Sequence, residues 1–283
     1  MQQLKKCEMP VQLRSTMKRR NSISMSKNSS LNVRDLLNHI DSFAPFSLAE
    51  EWDNPGLIVG SCKAEVKKIA VTLDAFYDAV IKADENNCNV LLCHHPLIFR
   101  AIKKIEINSE PGKTINEALK RNINIIAAHT NWDKANEGVN FTLADLIELE
   151  ECKNFEEIGI CGNLKKAMNI ENFIDFVKTS WGISKLDVYS QNLPEKISRV
   201  SLCGGSGAEF WRAAKNFNSD IYLTADMKYH ELIDATHSGL TIGLLNHGEM
   251  ERASLPKLAE KISECGVETV LLNVNALTSP LRM

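Results

Sequence analysis

The sequence predicts an α/β protein built on largely parallel sheets. Beyond residue 31, short β-branched runs alternate with longer segments of helical period, which is typical of strand–helix–strand units. Several of these runs are apolar without alternation, as expected for strands that are covered on both faces. The chain of 283 residues, 44% of them hydrophobic, can bury the core of one large or two modest domains.

The candidate strands and helices follow one another along the chain, and most of the helices open near a polar residue or end at Gly or Asn. The predicted strands are KKIAVTL (67–73), NVLLC (89–93), INIIAA (123–128), RVSLC (199–203), DIYLT (220–224), TIGLLN (241–246) and ETVLLNV (268–274). The predicted helices are 31–42, 74–87, 113–121, 136–151, 169–180, 208–218, 227–238 and 250–265.

The chain divides into a leader and a body. Residues 1–30 hold seven Lys or Arg against the single Glu8 and have no long apolar run, which argues against secretion. A mitochondrial transit peptide and a disordered extension both fit this composition, so we expect a cytoplasmic or a mitochondrial protein. We expect residues 31–283 to form one core of two lobes, about 31–150 and 167–283, with the polar stretch 150–166 between them.

Composition excludes several classes of function. No stretch approaches the roughly 20 apolar residues of a membrane-spanning helix. The body is acidic, with 35 Asp or Glu against 26 Lys or Arg, and so lacks the basic footprint of a nucleic-acid-binding face. The eight cysteines form no C-x-x-C pair, which indicates reduced, intracellular thiols rather than a zinc knuckle or a redox motif.

Three of the predicted strands end in residues that bind metals. In open α/β sheets, ligands bind beyond the carboxyl ends of the strands, so clusters that are far apart in sequence can meet there. Imidazole suits transition metals, and a carboxylate can bridge two cations, so this mixture of residues suggests two ions. One pair follows each strand: His94 and His95, His129 and Asp133, and His247 and Glu251.

Each of these residues taken alone is more often a surface or hydrogen-bonded side chain than a ligand. Their joint placement at three strand ends favours the metal site. A glycine-rich turn, CGGSGAEF, offers a separate hypothesis, because the N–H groups of Gly204, Gly205, Ser206 and Gly207 could hold an anion or a phosphate. A tight turn needs glycine for backbone reasons in any case, so both interpretations stay open.

Several ordered motifs give the chain a resemblance to a known family. They are EEWDNPGLIVG (50–60), LLCHHPLIF (91–99), AAHTNWD (127–133), CGGSG (203–207), YLTADMKYHE (222–231) and NHGEMER (246–252). With these motifs the body resembles the GTP cyclohydrolase I type 2 homologues, also called the NGG-one-interacting-factor-three-like family. The leader lies outside the resemblance.

The resemblance implies two similar α/β lobes of three-layer type around a dinuclear metal site, assembled as a toroidal hexamer. It implies that one ion binds His94 with Asp133, that the other binds His95 with His247, and that Glu251 bridges both. In the same pattern, His129 takes a supporting place, and Trp52 and Asp53 lie near the entrance of the site. This chain has Thr224-Ala225-Asp226 where many members have Thr-Gly-Glu or Thr-Gly-Asp, so that turn is expected to differ.

The expected function is metal-dependent hydrolysis. Five protein ligands on two ions leave coordination positions open for a metal-bound water, as in catalytic sites. The substrate would be a nucleotide, another phosphate ester or a cyclic amide. The alternative is a non-enzymatic metal-binding scaffold or a partner of transcription or other regulatory factors. His and carboxylate ligands accept Zn, Fe, Mn, Co or Ni, so the sequence leaves the metal open.

Overall fold

A computed structural model describes residues 30–276, which form a mixed α/β fold with two sheets, as the sequence predicts. The expectation of a transit peptide or a disordered leader in residues 1–30 falls outside the described residues, apart from Ser30. Among the helices of the described range, none has the length and apolar character needed to cross a membrane.

The structure fixes the bounds of the elements. The strands are β1 (Gly56–Val59), β2 (Ile69–Asp74), β3 (Val90–His95), β4 (Asn124–Ala127), β5 (Leu149–Phe155), β6 (Gly159–Met168), β7 (Leu186–Tyr189), β8 (Ile197–Ser206), β9 (Ile221–Ala225), β10 (Thr241–Leu245) and β11 (Thr269–Leu271). The α-helices are α1 (Val33–Phe43), α2 (Tyr77–Glu85), α3 (Gly112–Lys120), α4 (Thr130–Lys134), α5 (Val139–Leu146), α6 (Ile170–Trp181), α7 (Trp211–Asn216), α8 (Tyr229–His237), α9 (His247–Arg252) and α10 (Leu255–Ser263).

Each sheet has a parallel centre. The first has the strand order β1-β4-β3-β2-β11, in which only β1 is antiparallel to its neighbour. The second has the order β5-β6-β8-β9-β10-β7, in which β8, β9 and β10 are parallel and the flanking strands are antiparallel. Parallel neighbours align their carboxyl ends at one edge of a sheet, so residues that follow these strands come together.

A shared core lies between the two sheets, where Leu92 of β3 and Leu223 of β9 belong to one apolar cluster. The outer face of the first sheet buries Leu91 in a second cluster, and the outer face of the second sheet buries Tyr222 in a third. Neighbours in sequence therefore enter different clusters on opposite faces. Because both faces are buried, the central strands are apolar without alternation.

The chain is divided between the sheets differently from the predicted lobes. The stretch 150–166, expected to connect the lobes, lies within the β5–β6 hairpin at the edge of the second sheet. At the other end, β11 returns to pair with β2 in the first sheet, although the predicted second lobe ran to residue 283. The expected helix 250–265 is two helices, because Pro256 in the first turn of α10 has no N–H to continue α9.

Candidate metal centre

The predicted metal ligands meet where parallel strands of both sheets end. His94 and His95 are the last residues of β3. Asp133 lies on α4, which follows β4. His247 opens α9 directly after β10, and Glu251 lies one helical turn further on the same helix. The packing of the two sheets therefore brings all five side chains to one point.

These side chains form two overlapping groups that share Glu251. In the first, His94 Nε2 lies 3.5 Å from Asp133 Oδ1 and 3.7 Å from Glu251 Oε1. In the second, Glu251 Oε2 lies 2.9 Å from His95 Nε2 and 3.1 Å from His247 Nε2. Within each group the potential ligand atoms all lie within 4.8 Å of one another, a spacing that could hold a metal ion.

Each histidine is oriented by a hydrogen bond from its other ring nitrogen. The Nδ1–H of His94 donates to a backbone carbonyl, that of Ala128, at 2.9 Å. The Nδ1–H of His95 donates to Asp74 at 2.7 Å, and that of His247 donates to Asp226 at 2.5 Å. Because each acceptor fixes the proton on Nδ1, Nε2 is directed to the centre, and its lone pair can bind a metal ion once any second proton on the ring is displaced.

Buried polar atoms without partners show that the centre fits a cation. His94 Nε2 and Asp133 Oδ1 are buried and lack a hydrogen-bond partner among the described residues. Leaving such a group unpaired costs about 1–3 kcal/mol, and more for a charged one. Lone pairs of nitrogen and carboxylate oxygen converge here, so one bound cation would satisfy both atoms.

The pKa values of the candidate ligand residues also indicate that the centre attracts positive charge. Burial raises the pKa of Asp133 to about 7. For His95, burial acts in the opposite direction, but hydrogen bonds to two carboxylates outweigh it and raise the pKa to about 10. The pKa of His247 rises to about 9 for the same reasons. Burial would raise the pKa of Glu251, but the surrounding imidazoles hold it well below its usual range.

The glycine-rich segment lies against the metal centre. Gly204, Gly205 and Ser206 end β8 instead of forming a separate turn, and Gly207 follows them. A Cβ on Gly205 would lie 2.2 Å from Glu251 Oε1, and the φ of this glycine is +64°. Glycine is therefore required here to make room for the shared carboxylate.

The anion-binding hypothesis for this segment stays a prediction, but two of its N–H groups already have acceptors. The N–H of Gly204 donates to Asn140 Oδ1 at 2.7 Å, and that of Gly207 donates to Thr224 Oγ1 at 3.0 Å. An anion would have to use the N–H groups of Gly205 and Ser206, next to the carboxylate of Glu251.

His129 lies beside the metal centre and is held from behind by Asp53. Its Nδ1–H donates to Asp53 Oδ1 at 2.7 Å, while Thr130 donates its backbone N–H and its hydroxyl to the other oxygen of the same carboxylate. Burial opposes ionisation of Asp53, but these hydrogen bonds lower its pKa to about 2. His129 therefore has a fixed ring within 4.8 Å of the ligand atoms of His94 and His95.

A cavity of about 410 Å³ opens onto the centre. Two of the metal-site histidines, His95 and His247, lie in its lining together with His129. Trp52 and Phe99 form an aromatic wall, with their ring centroids 5.5 Å apart. The sequence motif places Trp52 near the entrance, and its side chain is 59% exposed on this wall.

Sequence reasoning missed three residues that support the site. Asp74 pairs with His95 across β2 and β3, and its position at the end of a predicted strand was the available signal. Asp226 follows β9 with a φ of +53°, in the turn where the chain departs from the family pattern. No sequence signal marked Asn140, which accepts a hydrogen bond from Gly204 on β8 and donates one to the backbone carbonyl of Asp133 on α4 at 3.1 Å.

Comparison with known proteins gives consistent matches over most of the chain. The family model for Duf34/NIF3, NGG1p interacting factor 3, matches residues 31–280. The Clostridium perfringens protein named GTP cyclohydrolase 1 type 2 homolog is 32% identical over 242 residues, which cover 83% of this chain and 92% of that protein. The NIF3-like protein 1 of Drosophila melanogaster is 28% identical, over 81% of this chain and 82% of its own length. The crystal structure of the Staphylococcus aureus hypothetical protein SA1388 superposes with a TM-score of 0.80 at 25% identity, over 90% of this chain and 100% of that one.

Proposed function

The chain belongs to the Duf34/NIF3 family, and from this membership together with the geometry of the centre we propose that it is a hydrolase dependent on two divalent metal ions. The observation that carries the proposal is the sharing of Glu251 by two ligand groups, each completed by its own residues. A carboxylate with one oxygen toward His94 and the other toward His95 and His247 has the arrangement of a bridging ligand.

The residues in each group suggest Zn, Fe, Mn, Co or Ni as the metal, since imidazole and carboxylate ligands accept all of these ions. His94, Asp133 and the shared Glu251 would hold one ion, and His95, His247 and Glu251 the other. When bound, such ions lower the pKa of water and stabilise negative charge that develops on a substrate oxygen.

The residues of the chain orient the histidine ligands and bury the carboxylate ligands. Asp74 and Asp226 fix the rings of His95 and His247, so that both Nε2 atoms are aimed before any ligand arrives. Burial of Asp133 and Glu251 keeps water from competing for their oxygens. The cavity beside the centre leaves one side open to a substrate such as a nucleotide, another phosphate ester or a cyclic amide.

Turnover by metal-loaded protein tests this proposal. Protein refilled with one metal at a time would be assayed against nucleotides, phosphodiesters and cyclic amides, beside His94→Ala and Asp133→Ala. We expect both substitutions to abolish activity. His237→Ala is the matched control, because this exposed histidine of α8 bonds to the Ile233 carbonyl of its own helix and belongs to neither ligand group, so the variant should keep full activity. Activity that survives loss of His94 and Asp133 would contradict the proposal.

The second candidate is a metal-binding scaffold that acts through protein partners, as the family description of an NGG1p interacting factor suggests. Absence of turnover across the substrate panel, with full metal content, would favour the scaffold.

We also propose self-assembly into a ring-shaped hexamer. Large apolar side chains at Ile105, Ile107 and Leu119 are 58%, 54% and 57% exposed, as expected for surfaces that pack against another copy. Light scattering of the purified chain measures the assembly directly, and a monomer would refute it.

A further inference from the structure

We propose that the cavity beside the metal centre takes a neutral or cationic planar heteroaromatic ring, and that it disfavours polyanions such as nucleoside triphosphates. The ring would be part of the substrate, so the inference rests on the proposed hydrolase function and names its substrate class. Two independent observations carry it: the aromatic wall, and the charge of the remaining lining.

The aromatic wall exposes rings that an aromatic ligand would cover. Trp52 and Phe99 are 59% and 45% exposed, and they meet edge to face on one side of the cavity. His129 adds a third ring, with its centroid 6.3 Å from that of Trp52 and 5.9 Å from that of Phe99. Phe210 also lines the cavity. A planar ligand ring stacks well on such a surface, whichever base or heterocycle it is.

The charge of the lining selects among ring-bearing ligands. Within the described residues, the lining of this cavity includes no Lys or Arg, while Glu209 adds a carboxylate outside the metal centre. Glu50 also lies in the lining, but its charge is paired with that of the neighbouring Lys134 at 2.7 Å, so this pair adds little net charge. A triphosphate chain would therefore meet the carboxylate of Glu209 once it extends beyond the metals, whereas ring N–H and amino groups would find acceptors.

The size of the cavity agrees with this ligand. Its volume of about 410 Å³ lies within the range of about 300–1,000 Å³ that is typical of small-molecule sites. The metal-site histidines His95 and His247 line the same cavity as Trp52 and Phe99. A ring held against Trp52 would therefore lie in the cavity that opens onto the metals.

The fluorescence of Trp52 can report ligand binding in this cavity. The sequence has four tryptophans, and the other three, Trp132, Trp181 and Trp211, are only 0%, 4% and 6% exposed. Quenching of tryptophan fluorescence by a ligand in this cavity should therefore come mainly from Trp52. Metal-loaded protein would be titrated with guanosine, GTP and ribose 5-phosphate, and binding would be checked by equilibrium dialysis.

We expect guanosine to quench the fluorescence saturably, GTP to bind at least about tenfold more weakly, and ribose 5-phosphate to leave the signal unchanged. Trp52→Ala should weaken guanosine binding about tenfold or more, because a stacking partner is lost. Trp52→Phe should keep binding by dialysis while losing the quenching. Glu209→Gln should reduce the difference in affinity between guanosine and GTP.

Tyr229→Ala is the matched control, because this aromatic side chain is 72% exposed and lies outside the cavity lining. It should leave all three titrations unchanged. Metal content and melting temperature, measured on every variant, confirm that Trp52→Ala is folded and loaded. GTP that binds more tightly than guanosine, or guanosine binding that is unchanged in Trp52→Ala, would overturn the inference.

The binding and turnover measurements together distinguish failure of this inference from failure of the proposed hydrolase function. Guanosine binding that depends on Trp52, without turnover of any substrate, upholds the ring site and refutes the hydrolase. Turnover of ring-free phosphate esters, without quenching by guanosine, refutes the ring site and upholds the hydrolase.

Discussion

Glu251 is the residue on which the proposed centre depends most, and Glu251→Gln is the sharpest test of it. The side chain is 3% exposed and its two oxygens face three imidazole nitrogens, at 3.7 Å for His94, 2.9 Å for His95 and 3.1 Å for His247. Glutamine keeps the volume and the helix position but removes the negative charge. We expect the variant to lose one ion and to hold the other weakly.

The size of the effect follows from these distances. A cation held by the imidazole nitrogens lies within about 4 Å of the carboxylate, where two unit charges interact by about 4 kcal/mol at an effective dielectric constant of about 20. At about 1.4 kcal/mol for each factor of ten, this is roughly a thousandfold in affinity for each ion. A divalent ion doubles the interaction, so the figure is conservative.

Elemental analysis per subunit measures the loss, on proteins refilled with the same metal and dialysed identically. Glu249→Gln is the matched control, because Glu249 lies on the same helix, accepts hydrogen bonds from Ser184 and belongs to neither ligand group. It should keep both ions. His95→Ala should keep the ion held by His94 and Asp133, because His95 takes no part in the group formed by His94, Asp133 and Glu251.

Retention of two ions per chain by Glu251→Gln would refute the bridging role. The carboxylate would then have to act as a proton-transfer group or as a structural partner of the imidazoles. Equal losses in Glu251→Gln and Glu249→Gln would point to general damage to α9.

Three further predictions concern the surroundings of the ligands. Gly205→Ala should lose metal and melt at a lower temperature, because the new Cβ would lie 2.2 Å from Glu251 Oε1. Gly182→Ala is the control, because Gly182 has the same φ of +64° but a Cβ there would have nothing within 4 Å, so this variant should keep its metal. Equal metal loss in both variants would disprove the steric cause. Asp226→Asn should lower the affinity of the His247 ion about 10- to 100-fold in a competition titration, since outer hydrogen-bond partners tune ligands to that extent. The exposed Asp234→Asn on α8 should leave that affinity unchanged. The pKa values of about 10 for His95 and about 9 for His247 mean that both imidazoles hold a second proton at neutral pH until a metal ion displaces it. Metal binding must therefore release protons, and the apparent affinity should rise with pH up to about 10. Calorimetry in buffers of different ionisation enthalpy counts the protons, and pH-independent binding would contradict the assignment.

Local patterns were enough to predict the central strands. Runs such as NVLLC and DIYLT coincide with β3 and β9 to within about two residues, because a strand buried on both faces is apolar at every position. The strands missed from the sequence are β1, β5, β6 and β7, and all lie at or next to a sheet edge. In β5 the burial is intermediate at its first residue, exposed at the next five and complete only at Phe155, so LEECKNF carries no hydrophobic period.

The sequence by itself determined the residue types of the site and their places after strands. His247 and Glu251 share a helix face because they are four residues apart, and His94 and His95 lie at a strand end that Pro96 terminates. These are short-range relations, in which the geometry of a strand or a helix fixes the outcome. The same holds for the carboxyl-end rule that led us to expect convergence.

Only the tertiary structure decided which groups meet. The hydrogen bond from His95 to Asp74 spans 21 residues, that from His129 to Asp53 spans 76, and Gly205 faces Glu251 from another strand. Such pairs depend on strand order and on how the two sheets pack, and no spacing in the sequence encodes either. The physical reason is that a carboxylate accepts a hydrogen bond from whichever donor the fold brings within about 3 Å, and the fold sets that distance only when the whole core is assembled.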